Sequence, residues 1–537
     1  MHPEPKLKEM CRPFLDETMS RQPVARLWRR EHSLWKPSPR EISNRLGWLD
    51  LPRTMSRQVN DLKNFAEEAR PRGFRNVVLL GMGGSSLCGE VLRQTFANSR
   101  SAPHLHVLDS TVPAWVRRTA SSVDPEHTLF IVASKSGGTI EVLSLYHYFR
   151  HLVEAVKGDD AGENFVAITD AGSGLEKLAK TSGFLRVFLN PADVGGRYSA
   201  LSLFGLVPAA LMGLEIRELL SRAREKARAC GVETPVEENP GAWLGMVMGC
   251  MARTGRDKLT LVTSPSIRSF GLWAEQLLAE STGKEGHGIV PIADEPFGPP
   301  DVYGDDRLFV YLRLKDDDNE ITDRHVHVLH ESGLPVIKAD LRDAYDIGGE
   351  FFRWEFAAAM AGACLQINPF DEPNVQESKQ ITSDVLAEYA AQNALPPMKN
   401  EGDFAGLIAK AKKGDYIAFM AFTEDTPELT RAMADLRGAL LNKRKLPSTF
   451  GYGPRFLHST GQLHKGGANN GLYVQITAES AKDEAIPGQA YSFGTLASAQ
   501  ALGDFDALKK HGRRVIRLHV PKGRSIAKRV KGLIKAV

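Results

Sequence analysis

Short apolar runs alternating with helical stretches constrain this chain more than any other feature. Between positions 75 and 190 they recur at 77–80, 105–108, 129–133, 165–169 and 185–189. Continuous apolar runs of this length read as strands buried on both faces, and strands that alternate with helices build a parallel sheet covered by helices. A second series follows at 259–263, 308–312 and 334–338, with helices expected over 267–281 and 348–365. After Leu395-Pro396-Pro397, which interrupts helix, a third α/β region has strands at 416–422 and 472–477 around a helix over 427–444. A chain of 537 residues has room for about three such units at roughly 100 to 200 residues each. The reading is therefore a helical leader over 1–74, α/β domains over 75–235 and 236–395, and a C-terminal α/β region over 396–537 that ends in a basic tail. That tail, 509–537, carries 11 Lys or Arg and no Asp or Glu, and is read as a solvated amphipathic end, with contact to a phosphate-bearing partner as the sharper alternative.

Composition removes several functional classes. Sixty-eight basic against 65 acidic residues leave a net charge of +3, too small for nucleic-acid binding to follow from charge alone. The longest apolar run, 203–214, falls short of the roughly 18 to 20 residues of a membrane helix, and no secretory signal opens the sequence, so the cytoplasm is the expected compartment. Cys11, Cys88, Cys230, Cys250 and Cys364 are scattered without a CxxC pair, which suggests buried small hydrophobes and neither disulfides nor zinc.

The chemistry is concentrated where strands run into loops. The first strand ends in Gly81-Met82-Gly83-Gly84-Ser85-Ser86 and the third in Ser134-Lys135-Ser136-Gly137-Gly138-Thr139, each followed by a helix. Such loops present free backbone N–H groups and hydroxyls to an anion. In a parallel sheet both open on the same edge, so two of them can close on one phosphate. The glycines at 81, 83 and 84 do not fit the dinucleotide GxGxxG spacing, although Asp109 sits where a ribose-binding acid would. Gly195-Gly196-Arg197-Tyr198-Ser199 places an arginine beside a glycine pair, where it either holds an anion or pairs with a surface carboxylate.

In the 267–281 helix, Phe270, Trp273 and Leu277 define an inward stripe that also contains Glu280, with Gln276 at its border. A carboxylate on a buried face is either paired or functional, and desolvation raises its pKa toward that of a useful general base. Glu275 points about 140° away around the helix and is expected to be solvated. Further on, Asp371 is a candidate helix cap ahead of Pro373, and Lys379 shares a face with Val375, Thr382 and Leu386, as a snorkelling lysine or a proton-transfer group.

Taken in order, these motifs resemble those of the glucose-6-phosphate isomerase family. Gly83-Gly84-Ser85 resembles the family's GGS loop, 134–139 its SKSGTT-type phosphate loop, 195–199 its GGRYS segment, 276–284 (QLLAESTGK) its QxxxESNGK helix, and 368–379 its NxFDQxxVExxK segment. The C-terminal stretch FLHSTGQLHKGGANNGLYVQIT, 456–477, is similar to the isomerase half of bifunctional transaldolase/glucose-6-phosphate isomerases. The transaldolase half is not expected, because about 75 residues precede the first strand and its barrel needs roughly 200 or more.

The resemblance implies two sugar-isomerase (SIS) type domains, each a parallel sheet between helices, and an aldose–ketose isomerase that interconverts D-glucose 6-phosphate and D-fructose 6-phosphate through an enediolate. It implies that Gly84, Ser85, Ser134, Lys135, Ser136 and Thr139 hold the substrate phosphate, that Gly196 and Gln276 contact the sugar, and that Glu280 is the base. Arg197 would stabilise the enediolate and Lys379 would assist ring opening, for which His330 is the candidate histidine. His464 and Lys465 lie in a glycine-rich loop that either reaches substrate or is ordinary surface. Gly138 stands where the family usually has Thr, one hydroxyl fewer in the phosphate loop. No metal or organic cofactor is needed, no membrane or nucleic-acid partner is expected, and a homodimer or a separate transaldolase are the partners left open. The alternatives are a non-catalytic sugar-phosphate-binding regulator and a dual phosphoglucose/phosphomannose isomerase.

Overall fold

The computed structural model describes residues 5–96 and 102–537. Its strands fall into three parallel sheets. The first contains β1 (Asn76–Gly81), β2 (His104–Leu108), β3 (Thr128–Ala133), β4 (Phe165–Asp170) and β5 (Arg186–Asn190) in the order β2-β1-β3-β4-β5. The second orders β6 (Lys258–Thr263), β7 (Val290–Ala293), β8 (Arg307–Leu314) and β9 (Val336–Leu341) as β7-β6-β8-β9. The third orders β10 (Tyr416–Phe422), β11 (Ser448–Tyr452), β12 (Gly471–Ala478) and β13 (Arg514–Val520) as β11-β10-β12-β13.

The pleat explains why the first sheet's strands read as unbroken apolar runs. Val78, Leu80, Phe130 and Val132 pack on one face with Phe149 and Val153, while Val77, Leu79, Leu129 and Ile131 join a second core on the other. Every residue of β3 is buried. The strands of the second and third sheets face helices in the same way, and all five cysteines are free and buried, as their scatter suggested. No helix among the described residues is long and apolar enough to cross a membrane.

The helix Pro5–Ser20 inserts Leu7, Cys11 and Leu15 into the large core shared with the helices Pro240–Arg253 and Asp346–Leu365, and its Thr18 hydroxyl contacts Cys364. Two expectations are corrected. The basic tail is a solvated amphipathic end only beyond Val520, where the helix Ile526–Leu533 buries Val530 and Leu533 and leaves its lysines exposed. Arg514–Val520 is an edge strand paired in parallel with β12, and Arg514 and Arg517 are neutralised by Asp415 and Glu401. Glu372, not Asp371, precedes the helix Pro373–Gln392 as its cap residue, because Asp371 is drawn to the buried ammonium of Lys284, 2.8 Å away.

Candidate active site

Segments belonging to all three sheets converge here, and glycine makes the approach possible. At Gly84 a Cβ would lie 2.0 Å from the carbonyl oxygen of Gly196, so the loop after β1 and the Gly195–Ser199 segment touch only because that side chain is missing. The Ser199 hydroxyl donates to the Gly84 carbonyl at 3.2 Å. Gly83 has φ +54, in the left-handed region, and a Cβ there would press on the His458 carbonyl at 2.7 Å and on Gln276 at 2.8 Å. The contacts of these two glycines place the first sheet's loop against Arg197, the helix Phe270–Thr282 and a segment of the third sheet.

Arg197 is buried and each of its three nitrogens is hydrogen-bonded. Nε donates to the Ser281 hydroxyl at 2.9 Å, Nη1 to Glu372 at 3.0 Å, and Nη2 to the carbonyls of Pro369 and Asp371 at 2.8 and 2.9 Å. Glu280 Oε1 lies 3.4 Å from Nη1 of the same guanidinium, and Gln276 Nε2 donates to Glu280 Oε2 at 3.1 Å. Burial raises the Glu280 carboxyl above the usual carboxylate range; Arg197 opposes that shift and the charge of Glu372 adds to it. Gln276 has a second donor contact, to the His458 carbonyl at 2.8 Å, and its own Oε1 is buried without a partner. Lys284, one turn beyond Glu280, is buried with its pKa pushed down to about 8 by desolvation and by Arg197.

An imidazole faces a carboxylate beside this group. His458 Nε2 and Glu141 Oε1 are 2.7 Å apart, and Gln500 Nε2 donates to the same Glu141 oxygen at 2.7 Å. Burial would raise Glu141, yet His458 holds it below its ordinary value. Both residues line a cavity of about 420 Å³ that also contains Gly138, Thr139 and Lys379. That cavity therefore joins the loop after β3 to the third sheet.

The sequence-derived candidates divide accordingly. Gly84, Gly196, Arg197, Gln276 and Glu280 are brought together, with Ser85 on the same loop. Ser134, Ser136 and Thr139 build the loop after β3: Ser134 Oγ lies 2.9 Å from Thr139 Oγ1 and accepts from the Gly137 amide at 3.1 Å, and Ser136 Oγ accepts from the Gly138 amide at 3.4 Å. Lys135 turns away to Asp170 at the end of β4 and to the Ala192 carbonyl, 2.9 Å distant. Lys379 is exposed at the cavity wall.

His330 lies in the last turn of the helix Glu320–Glu331, its side chain 47% exposed and its Nδ1 3.5 Å from Glu331. The second sheet's outer helix carries it, so His458, not His330, is the imidazole brought to Glu280's neighbourhood. His464 and Lys465 are neither surface loop nor substrate contacts by exposure: both are buried in the helix Gly461–Gly466, with the Lys465 ammonium 2.6 Å from buried Asp504. Asp109 is held by both arms of Arg455 at 2.7 Å, so the third sheet's loop, not a ribose, occupies it. Glu275, expected in solvent, lies under the third sheet with its carboxyl pushed up to about 8 by burial.

Residues 56–290 match the family model described as phosphoglucose isomerase. A glucose-6-phosphate isomerase of Symbiobacterium thermophilum is 30% identical over 385 residues, an alignment that covers 62% of this chain and 85% of that protein. The chain belongs to the glucose-6-phosphate isomerase family. A probable glucose-6-phosphate isomerase of Methanococcus maripaludis is 28% identical over 385 residues, 65% of this chain and 85% of the relative. Among solved structures, a hypothetical protein of Thermus thermophilus superposes with a TM-score of 0.59 at 26% identity over 71% of this chain and 97% of that one. A glucose-6-phosphate isomerase of Chlamydia trachomatis shares the fold, with a TM-score of 0.55 at 19% identity over 72% of this chain and 85% of its own. Within this isomerase family, the Glu280 and Arg197 motifs lie on the matched part of the chain or beside it.

Proposed function

We propose that this chain interconverts D-glucose 6-phosphate and D-fructose 6-phosphate by proton transfer between C2 and C1, with Glu280 as the base. The observation that carries this reading is a buried carboxyl with a raised pKa, 3.4 Å from the buried guanidinium of Arg197. Abstraction of a proton next to a carbonyl needs a base whose pKa approaches the working pH and a fixed positive charge where the oxyanion develops. Glu280 takes the proton from C2 of the open aldose and returns it to C1, while Arg197 stabilises the enediolate between the two transfers.

Ring opening falls to His458. Its imidazole, fixed by Glu141, moves a proton from the anomeric hydroxyl to the ring oxygen, with Lys379 at the same cavity assisting. The unpartnered Oε1 of buried Gln276 suits a sugar hydroxyl as donor. The phosphate is assigned to Ser85 and to the loop of Ser134, Ser136 and Thr139, with the Gly84 and Gly196 backbones close by. Lys135 braces that loop through Asp170. The three units proposed for the chain, 75–235, 236–395 and 396–537 after the leader, each contribute to this site, and a homodimer or a separate transaldolase is not required by it.

The test is turnover of fructose 6-phosphate by the purified chain, with glucose 6-phosphate followed by a coupled dehydrogenase. Absence of turnover while fructose 6-phosphate still binds would overturn the reading. Two variants examine its parts. His458→Asn should lower turnover of the ring-closed substrate by about 10²-fold. Exchange of the proton at C2 of an acyclic sugar phosphate with solvent, which depends on Glu280, should stay unchanged.

At Gly138 no heavy atom lies within 4 Å of an added Cβ and φ is not left-handed, so Gly138→Thr should fold normally. The restored hydroxyl should lower KM by about tenfold with kcat little altered, the effect of one hydrogen bond to a charged group.

A further inference from the structure

The turn Arg455–His458 delivers the imidazole to the site, and it meets the first sheet's domain at both of its ends. Side chains three residues apart eclipse in a 3-10 turn, so Arg455 and His458 leave it on the same side. Arg455 Nε and Nη2 donate to the two carboxylate oxygens of Asp109, each at 2.7 Å. His458 Nε2 lies 2.7 Å from Glu141 Oε1. Asp109 directly follows β2, and Glu141 lies in the first turn of the helix Ile140–Lys157 after β3. In the loop after β1, the strand between those two, the Ser86 hydroxyl donates to Asp109 Oδ2 at 3.3 Å. Asp109 therefore ties the loop that carries Ser85 to the turn that carries His458.

The chemistry of the pair suits orientation better than stability. Asp109 is wholly buried, and the Arg455 guanidinium lies over the Trp115 ring, 5.3 Å from its centroid. A buried ion pair adds little net stability over apolar side chains of equal volume, whereas two parallel N–H···O bonds admit one direction of approach. The middle of the turn cannot supply that direction. Phe456 and Leu457 are buried in a core shared by the second and third sheets, and apolar contact is non-directional. Gln276, which donates to the His458 carbonyl, holds the backbone and not the ring.

From this arrangement we infer that Arg455 and Asp109 are positioning residues for ring opening: their contact sets how His458 meets the sugar. Both act through His458 and neither on the substrate itself. The inference rests on the ring-opening role proposed for His458 and deepens it by naming the pair that aims the imidazole.

The test compares two reactions in two backgrounds. Arg455→Lys keeps the charge, so Asp109 is not left unpaired and the chain is expected to fold, but a single ammonium lacks the planar fork. Turnover of cyclic fructose 6-phosphate should fall by about tenfold or more, because a misplacement of about 1 Å costs up to roughly 10² in rate. Exchange of the C2 proton of an acyclic sugar phosphate should stay as it is. In the His458→Asn background the same substitution should change cyclic turnover by less than about twofold, since residues that act through one another are not additive. Asp109→Asn, which retains the size of the side chain and one acceptor, should reproduce the pattern. Equal losses with and without His458 would make the pair purely structural and overturn the inference. Intact turnover in Arg455→Lys, or a parallel loss of C2 exchange, would do the same. Each of these outcomes leaves the isomerase reading standing, whereas absence of turnover in the wild type overturns that reading and this role with it.

Discussion

Glu280→Gln is expected to lower kcat by about 10³-fold, within the range general acid–base catalysis supplies, while fructose 6-phosphate binds almost as before. The amide keeps the volume of the carboxylate and its contact with Gln276, but it cannot accept the proton from C2. Calorimetric titration of the variant and a coupled assay separate the two effects. An unchanged kcat would remove Glu280 as the base, and a loss of binding in proportion to turnover would give it a structural role instead. The wild-type pH profile carries the same assignment. Because burial raises Glu280, the acid limb of kcat/KM should lie above the usual carboxylate range.

Arg197→Leu should be as damaging in a different way. Five polar groups surround that guanidinium: two carboxylates, two carbonyls and the Ser281 hydroxyl. Removing one partner of a buried ion pair leaves the other uncompensated, so denaturant unfolding should show a loss of about 3–5 kcal/mol. Turnover should fall by about 10²–10³-fold, the effect of deleting one oxyanion-stabilising donor. The sign of the pH effect is fixed. Arg197 lowers Glu280 while burial and Glu372 raise it, so without the cation the acid limb moves to higher pH. Arg197→Lys keeps the charge but not the planar fork, and should lower kcat with a much smaller displacement of the limb. An acid limb that stays in place in the folded Leu variant would separate Arg197 from the base.

Much of the first sheet was legible because its strands are buried on both faces. Thr128–Ala133 and Phe165–Asp170 carry enough apolar residues in sequence to stand out without alternation. The strands that escaped notice lie at sheet edges. Val290–Ala293 is four residues long with Pro291 inside it, tolerated because only one side is paired. Ser448–Tyr452 has a glycine in its interior, and Arg514–Val520 hides its apolar residues among arginines that find carboxylates only in the folded chain.

The site shows the same division. Glu280 could be read from helical periodicity, because three large apolar residues mark the inward stripe. Glu275 could not, since periodicity identifies the face turned to the helix's own domain and is silent about a further sheet that covers the opposite face. His458 and Glu141 are 317 positions apart, and no local pattern connects them. The signal present was the segment Arg455-Phe-Leu-His458 itself, a cation and an imidazole three residues apart in a stretch recognised only for its likeness to relatives.

The position of His458 has a consequence for the order in which this protein is made. β10 pairs with β12, so the third sheet cannot close until residues 471–478 have been synthesised, and only then can Arg455 be clamped to Asp109. On the ring-opening role proposed for His458, a nascent chain that has folded only its first two sheets would hold Glu280 beside Arg197 without the group that opens the sugar ring. The ability to act on the cyclic hexose would then arrive late, when the final α/β layer settles on the other two.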